Sequence, residues 1–150
     1  MVYRDMEKVY VINGPNLNML GIREPEIYGK ITLRDILRML KKKGAEKGVK
    51  IRSFQSNSEG NLIDKIQSLT NKGYRGIIIN PGAYTHYSYA LRDAIKASGL
   101  KAVEVHLSDI EKREDFRKVS VIQDVCIAQI KGMGPEGYIK ALDELLKNSI

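Results

Sequence analysis

One cysteine, Cys126, is present in the 150 residues, so no disulfide can form within the chain, and a reducing compartment is implied. Its neighbours Val125, Ile127 and Ala128 are apolar, which points to a buried inert thiol rather than a nucleophile. No apolar run approaches the roughly 20 residues that span a bilayer. The opening stretch MVYRDMEKVYVING lacks the uninterrupted apolar segment of a signal peptide. A cytoplasmic protein without a membrane partner is expected. Aromatic residues make up only 7% and are not interleaved with basic ones, so the stacking platform of a single-strand nucleic-acid binder is missing.

Charge is the property in excess. The net +7 would suit a nucleic acid or an anionic small molecule. Much of the surplus lies in Lys41, Lys42, Lys43, Lys47 and Lys50, around the end of an expected helix, where cations complement the helix dipole on a solvated face. No nucleic-acid partner is expected. At this length a single domain, residues 1–150, can bury a core without staples.

Short β-rich runs alternate with helical patterns, the signature of a parallel sheet with crossover helices. Strands are expected at residues 8–13, 49–55, 76–80, 102–106 and, less sharply bounded, 124–131. Thr32 and Ser58 read as N-caps of helices carrying Leu33, Ile36, Leu37 and Leu40, and Leu62, Ile63, Ile66 and Leu69. A third helix is expected over residues 84–98, a fourth from Pro135 or Glu136 to Lys147, and a short one within 109–119. Five strands in one α/β unit suggest a flavodoxin-like sheet with helices on both faces.

In such sheets ligands bind beyond the carboxyl ends of the strands. The first four exits are all polar: Asn13-Gly-Pro-Asn16, Gln55-Ser-Asn57, Asn80-Pro-Gly-Ala-Tyr-Thr-His86 and His106-Leu-Ser108. Both histidines of the chain lie there, as a pair of structural residues or as a converging site. The loop at about residues 17–30 is long for a strand-to-helix connection and holds Arg23, Glu24 and Tyr28. It is either a surface excursion or a lid over the pocket.

Other signals fail. Gly132-Met-Gly134-Pro-Glu-Gly137 fits G-x-G-x-x-G, but too little chain follows for a dinucleotide-binding βαβ unit. The glycines instead suit a turn into the last helix. There is no P-loop, no nucleophile elbow, and no partner beside the histidines for a zinc site. A flavin- or nucleotide-binding module remains the alternative from another class.

Several stretches resemble the type II 3-dehydroquinate dehydratases: residues 12–29 (INGPNLNMLGIREPEIYG), 55–60 (QSNSEG), 80–86 (NPGAYTH), 104–108 (EVHLS), 113–117 (REDFR) and 137–142 (GYIKAL). The resemblance is collinear over almost the whole chain. It implies the flavodoxin-like fold, a dodecamer of four trimers, and cofactor-free dehydration of an anionic substrate, 3-dehydroquinate, by anti elimination through an enolate, with no metal.

By the same resemblance Tyr28 is the base, Arg23 lowers its pKa, and Asn16 steadies the enolate through a water. His106 is the acid and Glu104 orients it. Asn80, Gly82, His86, Leu107, Ser108 and Arg117 hold the substrate, Arg113 closes over it, and Asp93 reaches in from a neighbouring subunit. The chain departs from the family pattern at Ser58, at Val119 before Ser120, and at Pro135-Glu136. Either biosynthesis of aromatic amino acids by the shikimate route or quinate breakdown would use this reaction.

Overall fold

A computed structural model describes residues 6–22, 26 and 29–147. Strands β1 (Glu7–Asn13), β2 (Val49–Gln55), β3 (Gly76–Asn80), β4 (Ala102–His106) and β5 (Ala128–Lys131) form one parallel sheet in the order β2-β1-β3-β4-β5. Among the described residues three helices connect strands, α1 (Leu33–Glu46), α2 (Glu59–Ser68) and α3 (Tyr89–Ser98), and a fourth, α4 (Glu136–Leu146), follows β5. This is the flavodoxin-like order, whose switch point lies between β1 and β3.

The strand interiors are apolar on both sides because helices cover both faces. Val9, Val11, Ile78, Val103 and Val105 pack against Ile36 and Leu40 of α1 and Tyr138, Ala141, Leu142 and Leu145 of α4. Tyr10, Ile12, Ile77 and Ile79 pack against Leu62 and Ile66 of α2 and Leu91, Ala94 and Ile95 of α3. β3 and β4 are buried at every position, which is the reason their sequences do not alternate. No helix among the described residues is long and apolar enough to cross a membrane.

The expected caps are present. Thr32 and Asp35 form a reciprocal capping box at α1, and the Ser58 hydroxyl accepts from Asn61 N–H at α2. Two expected elements start later. The helix expected over 84–98 is a 3-10 turn, Gly82–His86, followed by α3, because Ser88 is extended and its hydroxyl caps the N–H of Leu91. The strand expected over 124–131 starts at Ala128, since Gln123–Val125 is a 3-10 turn and pairing begins with the Ile127 N–H on Ala102 O. The short helix expected within 109–119 is two 3-10 turns, Ile110–Lys112 and Asp115–Arg117. Cys126 is half-buried rather than enclosed, and burial pushes its thiol up to about 12, which disfavours the thiolate.

Candidate active site

The carboxyl ends of β1 and β3 are joined at close quarters. Gly14 N–H donates to Asn80 O at 2.8 Å, and a Cβ on Gly14 would stand 2.5 Å from Pro81 O. Gly82, with φ +60, packs back onto Pro15. The glycines therefore allow two polar strand exits to share one floor. Above it Asn16 adopts a left-handed conformation (φ 69°), and its N–H donates to Asn57 Oδ1 at 3.0 Å. Asn57 is itself held, by Gln55 Nε2 at 3.2 Å and by the Tyr84 hydroxyl, which donates to its carbonyl at 2.7 Å.

β4 supplies the ionisable pair. Glu104 and His106 face the same side of the strand, two residues apart, and His106 Nε2 lies 2.5 Å from Glu104 Oε2. Glu104 is wholly buried, and a buried carboxylate needs donors. It has two besides histidine: the Thr85 hydroxyl at 2.5 Å, and the Ser120 hydroxyl, 2.9 Å from both oxygens. Burial pushes the Glu104 carboxyl upward, but His106, Thr85 and Ser120 outweigh it and hold it below the usual carboxylate range. An ionised carboxylate only accepts, so His106 Nε2 carries the hydrogen of this bond. Proton exchange with anything in the cleft falls to Nδ1.

His86 is set differently. Its Nδ1 lies 2.7 Å from Val119 O, which can only accept, so Nδ1 is the donor. Burial first of all lowers its pKa, favouring the neutral ring and leaving Nε2 an acceptor. Arg113 follows the first 3-10 turn after β4 and Arg117 ends the second. The Arg117 guanidinium lies 4.8 Å from the centre of the Phe116 ring, and its Nε is 3.0 Å from Glu114 Oε2, without the alignment of a hydrogen bond.

These residues line a cavity of about 110 Å³, with room for several waters or a small organic molecule. Asn16, Asn80, Gly82, His86, His106, Leu107, Ser108, Arg113 and Arg117 all border it, and none of the described lining residues is acidic. Two guanidinium groups border the cavity, and Arg offers its fork to a carboxylate, so the lining suits an anion. Among the described residues no group of three or more His, Cys, Asp or Glu is placed to hold a metal ion.

Nine of the expected site residues thus meet, with Glu104 behind them. Asp93 does not join them: it is exposed on α3 and does not border the cavity. Arg23 and Tyr28 lie outside the described residues. Sequence reasoning missed Thr85, Ser120, Asn57 and Tyr138. Thr85 and Asn57 stand within the polar strand exits, the one signal that could have raised them.

The family described as Dehydroquinase class II matches residues 7–146. The chain belongs to that family. Among curated relatives, the 3-dehydroquinate dehydratase of Clostridium beijerinckii is 54% identical over 92% of this chain and 94% of its own length. That of Thermotoga maritima is 48% identical over 93% and 95%. The crystal structure of type II dehydroquinase from Butyrivibrio crossotus superposes with a TM-score of 0.92 at 50% identity, covering 95% of this chain and 99% of that one. The enzyme from Propionibacterium acnes gives 0.91 at 36% identity, over 97% and 100%. Class II dehydroquinases are therefore similar to this chain along nearly its whole length.

Proposed function

We propose that this chain dehydrates 3-dehydroquinate to 3-dehydroshikimate by an anti elimination through an enolate, without a cofactor. The observation that carries the reading is the Glu104–His106 pair, buried at the head of a cavity whose described lining is basic and free of carboxylates. His106 Nδ1 donates a proton to the departing hydroxyl, so that water leaves rather than hydroxide. Tyr28, as phenolate, removes the proton beside the ketone, and Arg23 stabilises that phenolate. Asn16 steadies the enolate oxygen through a water. The substrate carboxylate and ring hydroxyls are held by Arg113, Arg117, Asn80, Gly82, His86 and the Leu107–Ser108 backbone. Asp93, exposed on α3, serves the cleft of a neighbouring subunit in a trimer-based dodecamer. The protein works in the cytoplasm, in aromatic biosynthesis or quinate breakdown.

Mixing the purified protein with 3-dehydroquinate tests this directly. The expected result is the rise of ultraviolet absorbance of a conjugated enone, undiminished after borohydride treatment in the presence of substrate. No absorbance change would sink the dehydratase reading. Inactivation with a borohydride adduct on a lysine would replace the enolate mechanism with a Schiff base.

A further inference from the structure

The C-terminal helix reaches the cavity floor through Tyr138, a fully buried side chain of α4 with 0% exposure. A buried phenol must satisfy its hydroxyl, and Tyr138 finds two partners, both at strand exits. Its hydroxyl donates to Asn13 Oδ1 at 2.6 Å and accepts from Asn80 Nδ2 at 3.1 Å. The directions are forced. A phenol has one hydrogen, and Asn13 Oδ1 has none to offer, so that hydrogen points at Asn13. Towards Asn80 the phenol oxygen can then only accept.

The other end of the Asn80 amide is equally committed, because its Oδ1 accepts from Gly82 N–H at 3.1 Å. One Nδ2 hydrogen remains, and Asn80 borders the cavity. Burial pushes the Tyr138 pKa far up, so the phenol stays neutral and the directions hold across the working pH range. Asn13 does not compete for control: its Nδ2 is buried without a partner, so its side-chain amide is oriented by Tyr138 and not the reverse.

We infer that Tyr138 is a positioning residue that acts through Asn80, fixing position 80 as an N–H donor that selects an acceptor oxygen on the substrate. The inference rests on the dehydratase reading above. A packing role alone would be filled by phenylalanine, which has the same ring and leaves no hydroxyl to satisfy. Without the phenol oxygen the Asn80 amide loses one of the two partners that separate its flipped orientations, and only the Gly82 N–H still holds it.

The test compares Tyr138→Phe, Asn80→Ala and the double variant in steady-state turnover of 3-dehydroquinate. For Tyr138→Phe the expected result is a KM raised by about ten-fold with kcat within about three-fold, the pattern of lost ground-state binding. In the Asn80→Ala background the same change should add less than about two-fold, since the two residues act as one unit. Replacing Tyr138 with 4-aminophenylalanine keeps the ring and a donor towards Asn13 but leaves a weak acceptor, and should raise KM like phenylalanine. That arm decides the matter if Tyr138→Phe does not fold. Additive losses in the double variant, or a KM unchanged with the aromatic amine, would overturn the inference while the wild-type protein remains active. A wild-type protein with no turnover would sink the dehydratase reading and this inference with it.

Discussion

Replacing Ser120 with alanine removes one of two hydroxyl donors from a carboxylate that no water reaches. The Ser120 hydroxyl lies 2.9 Å from both Glu104 oxygens and also accepts the N–H of Ile122 and of Gln123. A hydrogen bond to a charged group contributes about 1.5–3 kcal/mol, so Ser120→Ala should cost about 2 kcal/mol at neutral pH. For a domain of this size that is a drop of about 4–8 °C in the unfolding midpoint.

The cost should depend on pH, with a sign fixed by Glu104. Its carboxyl is held below the ordinary range in the folded chain. The stability this supplies is complete above the unfolded value of about 4.3 and is lost as pH falls through the folded value. Without Ser120 the folded value moves up. The gap between wild type and variant is therefore widest near neutral pH and closes on acidification. Calorimetry from about pH 7 down to about pH 2.5, through and below the carboxylate range, reads it. Thr85→Val should behave alike, with the pair less than additive because they share one carboxylate. A gap of constant size at every pH would refute the reasoning, since the hydroxyl would then be serving packing and not the charge.

Other consequences are open to direct measurement. His106→Ala should lower kcat by about 10²–10⁴-fold while substrate still binds; kcat within a few-fold would make His86 the candidate acid. Tyr28→Phe should abolish turnover, and Arg23→Gln should move the limb governed by Tyr28 to higher pH, whereas an unchanged profile would confine Arg23 to binding or closure. Asp93→Ala should lose activity in an assembly of at least three subunits, and sedimentation of an active wild-type monomer would refute that role.

The architecture was legible because its signals are local. The capping box at Thr32, the apolar runs of β1 and β3 and the polar exits all lie within a few residues of one another. Boundaries failed where a distant partner decides them. Ser88 ends the turn before α3, and its hydroxyl also reaches Glu59 on another helix at 2.5 Å. β5 starts late because Val121 and Asp124, just ahead of it, are tied to Arg92 on α3. The same distinction separates the site residues that were found from those that were missed. His106 stands out by type at the end of a strand, and Glu104 was reached through the family resemblance of residues 104–108. Ser120 matters only because the fold lays it against Glu104, and Tyr138 because a helix 58 positions after Asn80 crosses back to β3.

Burying Glu104 behind the histidine also organises charge for the proposed elimination. With His106 protonated the pair is neutral, and Arg113 and Arg117 are the guanidinium groups that the described lining turns towards a substrate carboxylate and a developing enolate. Water exclusion strengthens that match, because Coulomb attraction grows as the effective dielectric falls. Once His106 has given its proton to the leaving hydroxyl, the pair carries a net negative charge in a buried position. That state is costly, and recovery of a proton at Nδ1 relieves it. Thr85 and Ser120 set how costly: with both hydroxyls in place the lone carboxylate is tolerable, so His106 can release its proton during the reaction. The donors missing from the sequence reading are thus the ones that let a buried acid give up its proton and be restored to it in the next cycle.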